Sequence, residues 1–267
     1  MKSYLSYFEL KFITGLQYRA AAIAGISTQF FFGFVYISVY IAFYESGGSN
    51  LPMSLPQLIT YTWLGQAFFS LIYLWYKDKQ ILNLIKSGNI AYELCRPQDL
   101  YFMWASKILG ERLSAFTLRF LPVIIVTILI PSPYKLVLCT DIKIIILFII
   151  SIINSSILMT CIVLLFHIIC LFTLDEKGVV NIFMVIADIL SGMIIPVAFF
   201  PKFLSTISNY LPFRYVTDFP FRLYVGNIST SLSIKFIFIQ LIWIIILVVI
   251  GRLLVRKALS KVTLQGG

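Results

Sequence analysis

Hydrophobic and polar positions alternate along this chain on the scale of whole helices. Six apolar stretches, each near the roughly 20 residues that cross about 30 Å of hydrocarbon, are separated by short polar connections. The fourth stretch is longer than a bilayer requires, so we expect that helix to tilt, kink or protrude. The pattern therefore predicts an all-α membrane protein with six transmembrane helices. These helices are residues 20–43, 56–76, 113–130, 144–172, 178–196 and 234–254.

The N-terminal residues 1–19 have a different pattern. Leu5, Phe8, Phe12 and Leu16 recur at helical spacing, and polar residues occupy other positions around the turn. A helix with one apolar stripe and a polar remainder lies in the plane of the membrane surface. We therefore predict an interfacial amphipathic helix before the first span.

The connection between the second and third spans, residues 77–112, holds six of the 21 Lys and Arg residues. Two short apolar runs in it are separated at Gly88, which suits a helix C-terminus, and Asn89, which suits the N-cap of a new helix. Pro97 is a stop signal, and Asp99 is placed to cap the third long helix. The pattern predicts a helix, a sharp turn and a second helix of about two turns. A short helix held between two spans is suited to transmit force into a bilayer.

The connection between the fifth and sixth spans, residues 197–233, is too apolar for an ordinary solvated loop. Pro201, Pro212 and Pro220 interrupt it too often for a full span, and a helical stripe lies between the first two of these prolines. We predict a short helix that re-enters the outer leaflet and covers a pathway, because backbone at membrane depth must lie against protein or a water-filled cavity. The alternative is an interfacial helix that plugs the outer surface.

Composition supports a polytopic membrane protein and excludes a soluble catalytic or nucleotide-binding domain. The 267 residues are 60% hydrophobic and 12% charged, and the mean hydropathy is +0.95. With the N-terminus inside, 14 Lys and Arg residues lie on the inner side and six on the outer side. This bias predicts a multi-pass protein of the cell membrane with both termini in the cytoplasm. It also accounts for the net charge of +10 without a nucleic-acid partner.

No constellation of residues typical of enzyme chemistry is evident. The one histidine, His167, lies in a predicted span, where such a residue is more often an interhelical hydrogen bonder than a catalyst. No GxxxxGK[ST] phosphate-binding loop is present, so we do not expect this chain to hydrolyse ATP. The four cysteines lack CxxC spacing, and we expect no disulfide, no metal site and no bound cofactor.

Two charged residues, Arg119 and Asp188, lie inside predicted spans. Each costs about 2.5–3.5 kcal/mol at the centre of a bilayer on insertion scales, so each should face protein or water. One interpretation is an ion pair between them. Arg119 can instead extend to the inner interface, whereas Asp188 must pair, line a cavity or be protonated.

Taken together, these features resemble the permease subunits of ABC-2 type exporters, and the resemblance extends over the whole chain. The resemblance rests on several residues of the loop and of the region near the outer face. They are Ser87, Gly88, Asn89, Ile90, Leu94 and Pro97, and Ser191, Gly192, Pro196, Pro201, Leu211, Pro212 and Gly226.

The resemblance implies one ABC-2 type transmembrane domain over residues 1–267. In that family two permeases, identical or not, form an efflux pathway for amphipathic, lipid-like, drug, peptide or lipid-linked saccharide compounds. Each permease docks a separate ATPase subunit, which binds ATP and Mg. Carried onto this chain, Glu93 and Arg96 would be the charged contacts of the coupling helix. Its residues would be Gly88, Asn89, Ile90, Glu93, Leu94, Arg96 and Pro97, and those of the outer gate Ser191, Gly192, Pro196, Pro201, Pro212 and Gly226.

Two other functions stay open on the sequence. An ion-coupled secondary transporter would use Asp188 and His167 and would follow an ion gradient without ATP. A membrane-embedded enzyme acting on lipid or prenyl substrates would need acids or histidines clustered at one interface, and the sequence has no such cluster.

Overall fold

The computed structural model describes residues 2–47, 51–95, 97–173 and 178–260, and every regular element within them is a helix. The helices are α1 (Lys2–Gly15), α2 (Arg19–Glu45), α3 (Leu55–Ile72), α4 (Lys79–Lys86), α5 (Ile90–Leu94), α6 (Leu100–Leu129), α7 (Ile142–Thr173), α8 (Val179–Ser191), α9 (Lys202–Tyr210), α10 (Asp218–Tyr224) and α11 (Thr230–Leu259). Short 3-10 turns at Val197–Phe199 and Phe213–Tyr215 flank α9. The predicted all-α class is confirmed.

Four of the described helices are long and apolar enough to cross a membrane. These are α2, α6, α7 and α11, which contain 27 to 32 residues each. The helix α3 has 18 residues. The helix α8 has 13 residues, so it is only about 20 Å long against a hydrocarbon core of about 30 Å. The count of six spans therefore stays a prediction.

The fifth predicted span, residues 178–196, is too long at its C-terminal end. The helix α8 ends at Ser191, because Gly192 takes a left-handed conformation with a φ of 78°. Glycine tolerates this conformation and commonly ends helices in this way. The apolar run that continues to Pro196 concealed the end of the helix from hydropathy alone.

The helix α3 lies at the centre of the bundle. Fourteen of its 18 residues are buried, whereas α2 buries only four of 27, so α3 is surrounded by protein and α2 is peripheral. A reciprocal pair of hydrogen bonds between Ser54 and Gln57 caps α3 at its start. The Gln57 amide also donates to the Val225 carbonyl over 3.0 Å. Segment 197–233, here called the outer segment, therefore packs at the N-terminal end of α3. Residues 77–99, here called the coupling loop, follow the C-terminal end of α3, and the rest of the predicted 77–112 connection is the first part of α6.

The helices α7 and α11 pack along each other and hold the outer segment through one buried amide. Gln240 of α11 is fully buried, and its Nε2 atom lies 2.8 Å from the Tyr215 carbonyl and 3.1 Å from the Ser155 hydroxyl. The Ser155 hydroxyl also donates to the Tyr215 carbonyl. An amide nitrogen that links three elements inside an apolar bundle fixes their relative register.

The N-terminal helix α1 packs along α6. Phe8 and Phe12 are half-buried in this contact, whereas Leu5 is 63% exposed on the surface of the protein. Gly110 of α6 permits the close approach, since a Cβ atom there would lie 2.7 Å from the Phe8 carbonyl oxygen. Placement at the membrane interface stays a prediction for α1.

We expect Gly110→Leu to destabilise the protein by about 1–3 kcal/mol, because the larger side chain must separate α1 from α6. The measurement is the thermal unfolding midpoint in detergent. Thr117→Leu is the matched control, because Thr117 is exposed on the same helix. Equal midpoints for the two variants would show that α1 is not seated on Gly110.

Candidate functional site

The coupling loop contains two short helices joined by a turn. The helix α4 ends at Lys86 with Ser87 as its C-cap, Gly88 follows with a φ of 73°, and α5 begins at Ile90. Asn89 is not the predicted side-chain cap; its side chain makes no capping hydrogen bond, and its backbone carbonyl accepts from Tyr92 instead. With five residues, α5 has about 1.4 turns rather than two. Pro97 is exposed; Arg96 and the side chain of Leu94 lie outside the described residues.

Asp78 anchors the start of this loop to α6. One carboxylate oxygen accepts hydrogen bonds from the backbone of Gln80 at 2.9 Å and Ile81 at 3.0 Å, which caps α4. The other oxygen forms an ion pair with Lys107 of α6, and the two side chains are only 2% and 4% exposed. A charge buried this deeply is strongly unfavourable without its partner, so the pair fixes α4 against α6.

His167 joins the same point to α7. Its Nε2 atom accepts the backbone N–H of Asp78 over 2.9 Å, and its Nδ1 atom lies 2.8 Å from the Val163 carbonyl. Since Nε2 is the acceptor, Nδ1 carries the proton and donates to that carbonyl, which assigns a neutral ring from the hydrogen-bond network. The ring is 1% exposed. His167 thus holds the backbone at Asp78 in place.

Glu111 extends this network to α1. Its carboxylate lies 3.2 Å from the Lys107 ammonium and 3.8 Å from the Lys11 ammonium. The Tyr76 hydroxyl donates to it over 2.7 Å. Lys11 in turn donates to the Gln80 side chain of α4 over 3.2 Å. The helices α1, α4 and α6 are therefore joined by charged and polar groups at this end of the bundle.

A second aspartate, Asp99, anchors the other end of the loop. It caps α6 by accepting from the Tyr101 backbone at 3.0 Å, as the sequence predicted, and it pairs with Arg252 of α11 at 2.7 Å. The Tyr4 hydroxyl of α1 accepts the Asp99 backbone N–H. The side chains of this pair are 28% and 38% exposed. Both ends of the coupling loop are thus bound to transmembrane helices, and the buried end is held more strongly.

A cleft of about 770 Å³ lies between α1, the two loop helices and α6. Asn89 and Glu93, two of the predicted coupling residues, line it together with Tyr7, Lys86 and Trp104. Ile90 is buried beneath the loop. The surface of the loop therefore combines a recess with groups of both charges, which suits contact with another protein.

The outer segment is organised by Asp218, a residue that sequence reasoning missed. Its carboxylate is fully buried, accepts the Val197 backbone N–H over 2.8 Å and lies 3.5 Å from both Arg214 and Arg222. The Tyr61 hydroxyl of α3 lies 3.4 Å from it and donates to the Gly192 carbonyl over 2.7 Å. The spacing of one acid with a base four residues to either side was the available signal. Two of the basic residues assigned to the outer side thus neutralise a buried acid.

Of the predicted gate residues, Gly192 packs against Asp218, and the others occupy helix ends and turns. A Cβ atom on Gly192 would lie 2.9 Å from the Asp218 Cβ, so this glycine is part of the packed centre. The Ser191 hydroxyl caps the end of α8 by donating to the Asp188 carbonyl. Pro196 precedes the first 3-10 turn, Pro201 precedes α9, and Pro212 precedes the second 3-10 turn. Gly226, which follows α10, has a left-handed φ of 73°.

Arg119 and Asp188 line one cavity and form no ion pair within 4.0 Å among the described residues. The cavity has a volume of about 320 Å³ and lies between α2, α3, α6 and α8. The Arg119 guanidinium lies 3.4 Å from the Ala21 carbonyl. His167 lines a different, smaller cavity. The two groups of a hypothetical ion relay, Asp188 and His167, are therefore not brought together.

A family model described as ABC-2 family transporter protein matches residues 23–266, which is most of the chain. The chain belongs to the ABC-2 transporter family. It is thus a membrane permease component of an ABC transporter, and membership implies association with an ABC ATPase and with the membrane. The resemblance inferred from the sequence is confirmed. None of the curated proteins matches the chain.

The two anchors of the permease's coupling loop differ mainly in burial, and this predicts unequal costs of removing them. Asp78→Ala leaves the buried Lys107 ammonium with Glu111 as its remaining carboxylate partner, so the cost is at most that of an uncompensated buried charge, about 3–5 kcal/mol. Asp99→Ala breaks a more exposed pair worth about 0–1 kcal/mol. Each variant also loses a helix cap worth about 0.5–2 kcal/mol. The difference in unfolding free energy between the two variants therefore measures the contribution of the buried charge. Thermal unfolding in detergent measures both, and equal losses would contradict the buried anchor.

Gly192 and Gly226 of the permease provide a second matched pair. Both have a left-handed backbone, so replacement by alanine costs each about 1–2 kcal/mol. Only at Gly192 does the new Cβ also meet Asp218 and Tyr61, whereas no atom lies within 4 Å of a Cβ on Gly226. We expect Gly192→Ala to lower the unfolding midpoint clearly further than Gly226→Ala. A similar midpoint for both would indicate that Gly192 is not packed against Asp218.

Proposed function

We propose that this permease is the transmembrane subunit of an ABC exporter, driven by a separate ATPase that docks on the coupling loop. The observation that carries the proposal is the buried contact of Asp78 with Lys107 and His167, which ties α4 to α6 and α7. A surface that receives a push from a partner must be rigidly joined to the helices it moves. ATP and Mg bind the ATPase in this account, and this chain binds no cofactor.

The coupling contact is assigned to residues 88–97 by the family resemblance. Gly88 reverses the chain between α4 and α5, and Asn89 and Glu93 line the adjacent cleft. Because both ends of the loop are anchored, a displacement of α5 is not absorbed by movement of the loop alone. It is carried instead to α6 through Asp78 and Asp99, to α7 through His167 and to α11 through Arg252.

The outer gate is the outer segment together with the end of α8. Its single buried carboxylate, Asp218, gathers two arginines, a tyrosine of α3 and the backbone after α8. A motion of α3 or α8 therefore reaches this segment directly. The cargo leaves past it toward the outer side, through a pathway formed with a second permease, and it is an amphipathic compound.

Ion-coupled transport is the second candidate, and the geometry favours it less. Both ring nitrogens of His167 make hydrogen bonds within the protein. Asp188 lines a separate cavity. A relay through these two residues would require a path that joins the two cavities.

The test is recovery of the ATPase with tagged permease from its native membrane in mild detergent, followed by an ATP hydrolysis assay. We expect Glu93→Ala combined with Arg96→Ala to reduce the recovered ATPase by about tenfold, as the loss of two contacts that together contribute about 1.4 kcal/mol predicts. Glu45→Ala, at the far end of α2, is the control for loss of a charge. Recovery of the permease alone, without hydrolysis, would favour the ion-coupled alternative.

A further inference from the structure

The cavity that holds Arg119 and Asp188 contains buried polar atoms that have no hydrogen-bond partner in the described protein. Gln29 of α2 is 3% exposed, and neither its amide nitrogen nor its amide oxygen has a hydrogen-bond partner in the described protein. The Asp188 Oδ1 and Arg119 Nε atoms also lack a hydrogen-bond partner in the described protein. Each unsatisfied buried group costs about 1–3 kcal/mol, and more if charged. Other buried polar atoms, such as Ser70 Oγ and Asn154 Nδ2, also lack a partner, but these three groups gather in one cavity, where a ligand can reach them.

The lining is polar on some sides and apolar on others. Gln29, Gln66, Arg119 and Asp188 supply the polar surface. Phe32, Phe69 and Met193 supply apolar surface in the same cavity. The volume of about 320 Å³ suits a headgroup and the start of a chain rather than a large solute. The site is thus suited to a small polar group attached to an apolar tail.

The charges restrict the headgroup further. An acid and a base face one cavity without pairing, so its formal charge is zero while it can bind both a cation and an anion. A net cation would be repelled by Arg119 and a net anion by Asp188. A zwitterion satisfies both residues at once, with its amine on Asp188 and its acidic group on Arg119.

We propose that this cavity binds the headgroup of a zwitterionic amphiphile, one that carries an amine and a phosphate or carboxylate. Asp188 holds the amine, Arg119 holds the acidic group, and the Gln29 amide hydrogen-bonds to the polar atoms between them. Because this names the class of compound that the permease moves or is regulated by, it rests on the proposed export function. Binding is measured without the ATPase, so failure of one proposal is distinguishable from failure of the other.

The experiment measures equilibrium binding of three tail-labelled probes to the purified full-length permease in maltoside detergent. Lysophosphatidylethanolamine is zwitterionic, lysophosphatidylglycerol is anionic, and an alkylammonium with the same tail is cationic. We expect the zwitterion to bind about tenfold more tightly than either of the others, as loss of one charge-assisted contact predicts. Equal binding of the three probes would mean that the tail alone decides binding, and no binding of any would mean a cavity filled by water; either result would overturn the proposal.

Variants assign the two ends of the headgroup. Asp188→Asn should weaken the zwitterion and the cation but not the anion, whereas Arg119→Gln should weaken the zwitterion and the anion but not the cation. Ser27→Ala is the control, because Ser27 is exposed on α2 and bonds only to its own helix. Unchanged probe preference in both charge variants would contradict the assignment.

Gln29→Leu keeps the test valid if a charge variant fails to fold. Leucine has a similar size and removes the unsatisfied amide, so this variant should unfold at a higher temperature than the parent protein and yet bind the zwitterion about tenfold more weakly. Unchanged affinity in this variant would refute a ligand role for Gln29.

Lipid extracted from the purified proteins separates the two sources of the headgroup. Phospholipid retained by the parent and lost from Gln29→Leu identifies a bilayer lipid. Binding of the added zwitterion without retained phospholipid identifies a transported compound.

Discussion

The ion pair between Asp78 and Lys107 is the contact on which the coupling end of this permease depends. It lies in the interior, where an unpaired charge is costly, and it is made by a residue that also caps the first loop helix. The imidazole of His167 holds the backbone of the same residue. Three separate constraints therefore meet at one position, and the loop cannot move relative to α6 and α7 without breaking at least one of them.

The opposite end of α3 is built on the same physical principle. Asp218 is a second buried carboxylate that gathers basic side chains and a backbone N–H, and it contacts Tyr61 near the start of that helix. The buried helix α3 thus runs between two polar centres, each of which fixes an otherwise irregular segment. This arrangement gives a physical connection between the proposed coupling and gate regions, and the cavity of Arg119 and Asp188 lies beside the same helix.

The sequence predicted the elements better than the polar contacts between them. Hydropathy, together with signals such as Gly88 and the Asp99 cap, located the helices and the turn, because these follow from local chemistry. It extended α8 beyond Gly192, since a left-handed glycine does not alter hydropathy. The role of Asp78 could not be read from its neighbours, because Lys107 is 29 positions away and His167 is 89. The role of Asp218 could have been predicted from its four-residue spacing from two arginines.

The coupling loop and the adjoining end of α7 are expected to move as one body. The most direct measurement is the spin-label distance between Ser87→Cys and Phe172→Cys within one permease subunit, in the assembled transporter with and without bound ATP. Accessible native cysteines, including exposed Cys95, are first replaced. Rigid coupling through Asp78 predicts the same distance distribution in both states, and a broader distribution when Asp78 is replaced by alanine. A distance that shifts with nucleotide while Asp78 is intact would contradict rigid coupling through this contact.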